Sequence, residues 1–293
     1  MRIVFIGSVQ FSLSALSKLH EMNADIVGVC TKSSSPQNSD HVDLSSFCIE
    51  RGITWRYIED INSKDSIDWI SELEPDVIFC FGWSHILKDE LLRIAPLGVL
   101  GFHPTKLPKN RGRHPIVWAL ALGLTETGST FFFMDSGVDS GDIVSQAQIP
   151  IQGDDNARTL YKKITDVALR QIEEFYPLLV SGAFCKIKQE ESLANVWRKR
   201  VKSDGLIDWR MSAESIHNLV RGLSAPYVGA HFMFKGEEIK IWQTKPLYDF
   251  PNNLEPGKVI LITEMGPVVK CGIGAICLLN TSSEFKTIKG DYL

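Results

Sequence analysis

Short apolar runs alternate with helical patterns through the first half of the chain. Apolar residues recur at helical spacing at Leu13, Leu16 and Leu19, and comparable patterns predict helices at 11–19, 66–73, 89–94 and 115–122. Buried strands are predicted at 3–6, 26–30, 76–81 and 99–103, where the runs are mostly apolar. Strands of this kind that alternate with helices are typical of a parallel sheet covered on both faces. The pattern therefore predicts a Rossmann-like α/β fold with a doubly wound, mainly parallel sheet.

The pattern changes in the second half of the chain. Strands at 127–134 and 143–149 and a long helix at 157–179 complete the first domain, and the charged and polar residues from 186 to 204 predict a linker. Ser212 is a good N-cap for an amphipathic helix with apolar residues Ile216, Leu219, Val220 and Leu223. Short strands punctuated by glycine and proline follow, at 231–234, 238–243, 257–263, 268–271 and 275–279. We therefore predict an α/β domain over 1–190 and a smaller, mainly β, barrel-like domain over 205–293.

Composition narrows the classes of partner. The 293 residues carry a net charge of −4, which gives no general attraction to phosphate backbones. The best basic run, at 198–202, is short and more typical of a solvated segment. The chain opens on a strand pattern rather than a signal peptide, and no apolar stretch has the length of a membrane span, so we expect a cytoplasmic protein. The six cysteines include no C-x-x-C pair, so we expect neither a disulfide framework nor a metal site.

Two polar segments carry the candidate chemistry. In the segment 101–112, His103 ends a buried strand and is followed by a loop bearing Lys106 and Arg111, which is well placed to meet an anionic ligand. In the segment 134–142, three carboxylates surround two glycines, a composition that an ordinary tight turn also has. The ligand crevice of a parallel sheet lies beyond the carboxyl ends of its strands. This rule brings the segments 7–10, 82–85 and 103–112 to the same rim.

Together the two polar segments resemble the folate-dependent formyltransferase family. That family carries Asn-x-His, Leu-Pro and Arg-Gly in one segment and an Asp-containing segment later. The matching residues here are Gly101-Phe102-His103, Leu107-Pro108, Arg111-Gly112 and, at the separation typical of the family, Asp139-Ser140-Gly141. Further along the chain, Ile207-Asp208-Trp209 and Pro226-Tyr227 resemble the carboxy-terminal domain of two branches, methionyl-tRNA formyltransferases and enzymes that formylate a nucleotide-linked amino sugar. The resemblance covers nearly the whole chain.

The resemblance implies transfer of a formyl group from 10-formyltetrahydrofolate to a primary amine. The amine must lose a proton, and the oxygen of the tetrahedral centre must be stabilised. His103 is the residue that can move a proton near neutral pH, and Asp139 is expected to orient and stabilise its imidazole. The resemblance places the pterin ring of folate at Trp83, His85, Ile86 and Leu87, where Trp83 either stacks on the ligand or packs under the loop. The acceptor is expected at Ser8, Val9, Gln10, Lys106 and Arg111.

One departure from the family concerns Gly101. The family has asparagine at this position, two residues before the histidine, and that side chain donates a hydrogen bond to the formyl oxygen. Glycine has no such donor, and the loss of one oxyanion donor lowers a rate by about 10²–10³-fold. Asn110, Thr105 and a water molecule are candidate substitutes. The alternative is a catalytically silent relative that binds folate or a nucleotide without transferring a group.

Two acceptors are compatible with the resemblance. A nucleotide-linked amino sugar suits an acidic chain whose second domain is short and close to neutral, whereas transfer RNA requires a broad positive surface. We therefore expect the sugar nucleotide, with methionyl-tRNA as the alternative and no membrane partner. An apolar surface on the predicted barrel would allow a homodimer.

Overall fold

The computed structural model describes residues 1–35, 38–282 and 285–293. These residues form two compact units. The first contains Met1–Gly112, Thr127–Ile149 and Lys162–Trp197, and the second contains Arg113–Glu126, Pro150–Tyr161 and Arg198–Leu293. Two short segments from the first half of the chain thus belong to the unit built mainly by the carboxy-terminal residues. The division at 190–205, which treats each domain as one continuous stretch, stays a prediction.

The first unit is built on a mainly parallel sheet, as predicted. The strands up to residue 197 are β1 (Arg2–Ile6), β2 (Asp25–Thr31), β3 (Trp55–Tyr57), β4 (Val77–Cys80), β5 (Val99–His103), β6 (Arg111–Gly112), β7 (Glu126–Phe133), β8 (Ile143–Pro150) and β9 (Val196–Trp197). In the described residues, seven of them form a sheet in the order β3-β2-β1-β4-β5-β7-β8. Neighbours from β3 to β5 pair in parallel, and β7 pairs with β5 antiparallel. The separate pair β6 and β9 is parallel.

Most helices of the described residues follow the predicted apolar periodicity. They are α1 (Gln10–Glu21), α2 (Ser45–Arg51), α3 (Lys64–Glu72), α4 (Asp89–Leu92), α5 (Pro115–Ala121), α6 (Ala157–Ser181) and α7 (Ala213–Leu223). On α1 the buried face is formed by Phe11, Ala15, Leu16 and Leu19, and α3 begins at Ser63, whose side chain accepts a hydrogen bond from the Ser66 N–H. None of the helices in the described ranges has the length and hydropathy needed to cross a membrane.

The second unit contains an antiparallel sheet, which confirms the predicted β-rich carboxy-terminal region. Its strands are β10 (Ala230–Phe234), β11 (Glu237–Leu247), β12 (Val259–Thr263), β13 (Gly266–Lys270) and β14 (Ala275–Thr281), and within the described residues they are arranged in the order β10-β11-β14-β13-β12. The apolar face of α7 packs into a core with this sheet through Ile216 and Leu219. Full burial of such a side chain contributes about 1.5–3 kcal/mol. Helix α5 contacts α7, which explains why the segment that contains it belongs to this unit.

Some elements differ from the sequence-based expectation. Helix α2 and strand β3 were not predicted, and β3 is only three residues long with an arginine at its centre. The predicted linker over 186–204 is, up to Trp197, an ordered part of the first unit: it contains β9 and the buried Gln189. The polar composition was misleading because the segment is held by hydrogen bonds, above all those of the buried Gln189, rather than by apolar side chains.

Candidate active site

The carboxyl ends of three neighbouring strands carry most of the predicted site. β1, β4 and β5 lie side by side in the sheet and pair in parallel. The loops that follow them therefore leave the sheet at the same edge, as the sequence predicts. Ser8–Gln10 follow β1, Trp83–Leu87 follow β4, and His103 with its loop follows β5. A fourth loop, 134–142, joins β7 to β8 and brings Asp139 to His103.

His103 is held by the loop that follows it. It is the last residue of β5 and is 5% exposed. Its Nε2 lies 2.8 Å from the main-chain carbonyl oxygen of Asn110. Because a carbonyl oxygen only accepts, Nε2 carries a proton and donates it to this bond. The other ring nitrogen, Nδ1, lies 3.5 Å from Asp139 Oδ2. The nitrogen that can exchange a proton is therefore Nδ1.

Asp139 is anchored independently of His103. Its Oδ2 accepts a hydrogen bond of 2.8 Å from the main-chain N–H of Gly112. Its φ of 50° lies in the left-handed region, which costs a residue with a Cβ about 1–2 kcal/mol. The expected approach of His103 and Asp139 is present, although the group that fixes the imidazole ring is the Asn110 carbonyl rather than the Asp139 carboxylate. The catalytic roles of the two side chains stay predictions.

The space beside Gly101 is filled by a methionine. A Cβ at Gly101 would lie 2.6 Å from Met134 Cε, 3.0 Å from Met134 Cγ and 3.2 Å from Phe132 Cζ. The thioether therefore occupies the place that a longer side chain would take, and it has no N–H or O–H to donate. Among the candidate substitutes for the family asparagine, Thr105 is buried and its hydroxyl donates to the Lys109 carbonyl oxygen at 3.0 Å. The Thr105 proton is thus engaged within the chain.

The two basic residues of the His103 loop have partners within the chain. Lys106 is exposed, and its Nζ donates to Gln148 Oε1 at 2.7 Å. Arg111 is buried, and its guanidinium donates to Gln189 Oε1 at 2.8 Å and to the Glu191 carboxylate at 2.7 and 3.0 Å. The hydrogen bonds from Arg111 to the Glu191 carboxylate hold the pKa of Glu191 below its ordinary value. Arg111 is therefore part of the internal structure of the loop, and acceptor contacts by Lys106 and Arg111 stay predictions.

The segment after β1 is held in place by polar contacts. Ser8 and Val9 are buried, Gln10 is exposed, and Ser12 Oγ accepts hydrogen bonds of 3.2 Å from the N–H groups of both Ser8 and Val9. The Ser8 carbonyl oxygen lies 2.8 Å from His41 Nδ1, which must therefore be the donor. His41 Nε2 is buried, and among the described residues it has no hydrogen-bond partner. His41 is not among the site residues predicted from the sequence.

The segment after β4 contains the predicted folate-binding residues. Trp83 Nε1 is a buried donor without a partner in the part of the chain that the structure describes. Lys32 Nζ lies 4.9 Å from the centroid of the Trp83 ring and 3.4 Å from His85 Nδ1. Ile86 is 79% exposed and Leu87 is buried. Lys32 directly follows β2, so its place at the end of a buried strand was the signal that could have identified it.

An open depression borders the Asp139 loop. It has a volume of about 690 Å³ and is lined in part by Arg111, Met134, Lys188 and Gln189. This volume lies within the range of about 300–1,000 Å³ that is common for small-molecule sites. Across residues 1–35, 38–282 and 285–293, no group of three or more histidine, cysteine, aspartate and glutamate side chains is arranged to hold a metal ion.

Comparison with known families matches both parts of the chain. Residues 1–174 match the family described as formyl transferase, and residues 199–290 match the family described as formyl transferase, C-terminal domain. A curated relative, the methionyl-tRNA formyltransferase of Caldanaerobacter subterraneus subsp. tengcongensis, is 32% identical over 289 residues, which cover 97% of this chain and 93% of that protein.

Solved structures share the fold at lower identity. The N-formyltransferase from Helicobacter canadensis, solved with folinic acid and dTDP-3-aminofucose, is similar with a TM-score of 0.73 and 16% identity, covering 94% of this chain and 98% of that one. The sugar 3N-formyl transferase WlaRD, solved in the presence of dTDP and 5-N-formyl-THF, has a TM-score of 0.72 and 16% identity, covering 97% and 99%.

Proposed function

The chain belongs to the formyl transferase family and is an N-formyltransferase, and we propose that it transfers the formyl group of 10-formyltetrahydrofolate to the amino group of a nucleotide-linked amino sugar. The observation that carries this proposal is the approach of His103 to Asp139 at the end of β5, with 3.5 Å between Nδ1 and Oδ2. The pair supplies what an attacking amine needs, a proton acceptor with a carboxylate beside it.

The arrangement of His103 favours proton uptake at one defined atom. Nε2 is engaged with the Asn110 carbonyl, so a proton taken from the amine goes to Nδ1, next to Asp139. The carboxylate then stabilises the imidazolium by charge. The amine nitrogen bonds to the formyl carbon and gives a tetrahedral centre. When this centre collapses, the bond from the carbon to the donor nitrogen breaks, and the proton held by His103 goes to the leaving nitrogen. General acid–base help of this kind contributes about 10²–10⁴-fold to the rate.

Trp83 supports the assignment of the folate site. A buried N–H without an acceptor costs about 1–3 kcal/mol, and a ligand atom that accepts from it recovers this free energy. A pterin ring carries a carbonyl oxygen and ring nitrogens along its edge, which are acceptors of the required kind. His85, Ile86 and Leu87 follow Trp83 in the same loop. The two structural neighbours, solved with folinic acid and with 5-N-formyl-THF, also support a folate ligand for this fold.

Charge supports a small acceptor rather than transfer RNA. Binding to a nucleic-acid backbone requires lysine and arginine side chains that can reach phosphates. In the basic run at 198–202, Arg198 forms an ion pair of 2.5 Å with Asp204, and Lys202 is also ion-paired. Arg200 is buried and lies over the ring of Trp118, with 4.5 Å between the guanidinium carbon and the ring centroid. These side chains are therefore engaged within the second unit.

The sequence relatives favour a second candidate, methionyl-tRNA. The curated relative with this activity is 32% identical over nearly the full length of both chains, whereas the sugar-acting neighbours share only 16%. Identity of this size shows the family, and ligand binding distinguishes the two acceptors.

The test is a comparison of ligands by thermal unfolding. We expect folinic acid to raise the melting temperature. In a panel of nucleotides and nucleotide sugars with different bases, we expect one class to raise it as well. A ligand at 100 times its Kd stabilises the folded state by about 2.7 kcal/mol. Uncharged methionine tRNA serves as the competing arm. Stabilisation by tRNA with no response to any nucleotide would assign the acceptor to the tRNA branch.

A further inference from the structure

We propose that Gln189 is a positioning residue for this reaction: it holds Asp139 beside His103 by tying together the two loops that carry them. This inference rests on the proposed function, because the position of Asp139 affects turnover only if Asp139 assists His103 in the reaction. Gln189 is 5% exposed and lies in the stretch that the sequence predicts as a linker.

The amide of Gln189 uses both of its ends. Its Nε2 donates to the main-chain carbonyl oxygens of Asp139 at 2.8 Å and Gly141 at 2.7 Å. Its Oε1 accepts from Arg111 Nε at 3.2 Å and Nη2 at 2.8 Å. The orientation is unambiguous, because the carbonyls can only accept and the guanidinium can only donate. One buried side chain thus bonds the Asp139 loop on one side and the His103 loop on the other.

The same stretch of chain also supports the His103 side of the pair. Asn195 Oδ1 accepts from the Asn110 N–H at 2.8 Å, and the Asn195 carbonyl accepts from the Arg111 N–H at 3.0 Å. Asn110 has a φ of 65°, and its carbonyl is the group that fixes His103 Nε2. The residues 189–197 therefore support both catalytic candidates. Gln189 bonds Asp139 directly, and Asn195 holds the N–H groups of Asn110 and Arg111 on either side of the carbonyl that fixes His103.

Removal of the Gln189 donors should release Asp139 in particular. Asp139 is in the left-handed region, and the bond to its carbonyl from Gln189 offsets part of the cost of that conformation. Gln189→Glu keeps an acceptor for Arg111 but turns a carboxylate oxygen towards two carbonyl oxygens, which repel it. Gln189→Met removes both ends of the amide without adding charge. A displacement of about 1 Å at a reacting group can lower a rate by about 10²-fold.

The experiment measures turnover and the His103 ring in the full-length protein. Kinetics with 10-formyltetrahydrofolate and the acceptor are compared for wild type, Gln189→Glu and Gln189→Met, with Asp139→Asn and the Asp139→Asn/Gln189→Glu pair completing a double-mutant cycle. Nitrogen-15 NMR of the imidazoles reports the surroundings of the two His103 ring nitrogens. Their signals are assigned by their loss in His103→Gln. The matched control is Gln171→Met, because Gln171 is another buried glutamine of the first unit and bonds Ser129 and Ser145.

We expect Gln189→Glu to lower kcat by about 10–10²-fold with little change in KM, and to have less than about threefold effect in the Asp139→Asn background. The His103 Nδ1 resonance should move in the Gln189 variants and stay in place in Gln171→Met. Equal losses of kcat in both backgrounds, or an unmoved Nδ1 resonance, would overturn the inference. If Gln189→Glu does not fold, the same comparison of kcat and of the Nδ1 resonance is made with Gln189→Met. If wild type formylates no acceptor but the Nδ1 resonance responds to Gln189 alone, the positioning holds and the proposed function fails.

Discussion

Gly101→Asn should destabilise the protein, because the new side chain meets Met134 before it can reach the site. Its Cβ would lie 2.6 and 3.0 Å from two Met134 atoms and 3.2 Å from Phe132, all shorter than ordinary van der Waals contact. The atom at 2.6 Å is the terminal methyl of a flexible thioether, so the methionine can move while the backbone stays. Overpacking of this kind costs about 1–3 kcal/mol, and we expect a loss of this size in the free energy of unfolding.

Met134→Ala reveals whether the two side chains compete for the same space. On its own it should cost about 2 kcal/mol, near the lower end for truncating a methionine, since Met134 is only partly buried. In Gly101→Asn/Met134→Ala the asparagine fills the vacated room, so the double variant should lose at least about 1 kcal/mol less than the sum of the single losses. Urea unfolding of the four proteins gives this coupling. Additive losses would refute the view that Met134 fills the place of an asparagine.

The same four proteins test the missing oxyanion donor. With Met134 in place, Gly101→Asn should bring no gain in kcat. With the space cleared, the asparagine amide can point towards the formyl oxygen, and kcat of the double variant should exceed that of Met134→Ala by about tenfold or more. Steady-state kinetics with saturating 10-formyltetrahydrofolate and acceptor measure this. Equal kcat in these two variants would show that another group already stabilises the oxyanion.

Three further outcomes follow from the site and its surroundings. His103→Gln should lower kcat by about 10²–10⁴-fold with a melting temperature close to wild type, and a small loss of kcat would exclude a proton-transfer role. Trp83→Phe should raise KM for the folate donor by about 3–10-fold and leave kcat unchanged, whereas an unchanged KM would remove Trp83 from the folate site. Asp204→Asn should lower the melting temperature at neutral pH. Because the bond from Arg198 holds the pKa of Asp204 below its ordinary value, this ion pair stabilises the fold above about pH 4 and loses that effect as the pH falls further, so the difference in melting temperature should shrink in acid; a difference independent of pH would contradict this.

Elements with local apolar periodicity could be predicted from the sequence. β5 has the predicted bounds, Val99–His103, because all the information for a buried strand lies in its own residues. Helix α7 begins at the predicted cap, where Ser212 Oγ accepts from the Ser215 N–H at 3.0 Å. The approach of His103 and Asp139 could be predicted as well, since the spacing and chemistry of the two residues resemble those of a known family.

Features that depend on non-local pairing could not be predicted. Gln189 is buried through hydrogen bonds to Arg111, Asp139 and Gly141, and polar residues in a charged stretch of sequence give no sign of this. The contact of Met134 with Gly101 follows from the pairing of β5 with β7, where Gly101 is the partner of Phe132. Hydrophobic patterns indicate the burial of apolar side chains. They do not detect side chains that are buried through hydrogen bonds of amides and guanidinium groups.

Turnover of a defined acceptor tests the proposed function of this chain. The purified protein is incubated with 10-formyltetrahydrofolate and a panel of nucleotide-linked amino sugars, with methionyl-tRNA in parallel, and the products are identified by mass spectrometry. We expect that one class of amino sugar nucleotide gains a formyl group on its amine, that tetrahydrofolate is formed in equal amount, and that His103→Gln slows both by about 10²–10⁴-fold. Formylation of methionyl-tRNA alone would refute the proposed acceptor, and formylation of a sugar nucleotide at an undiminished rate by His103→Gln would refute the role of His103.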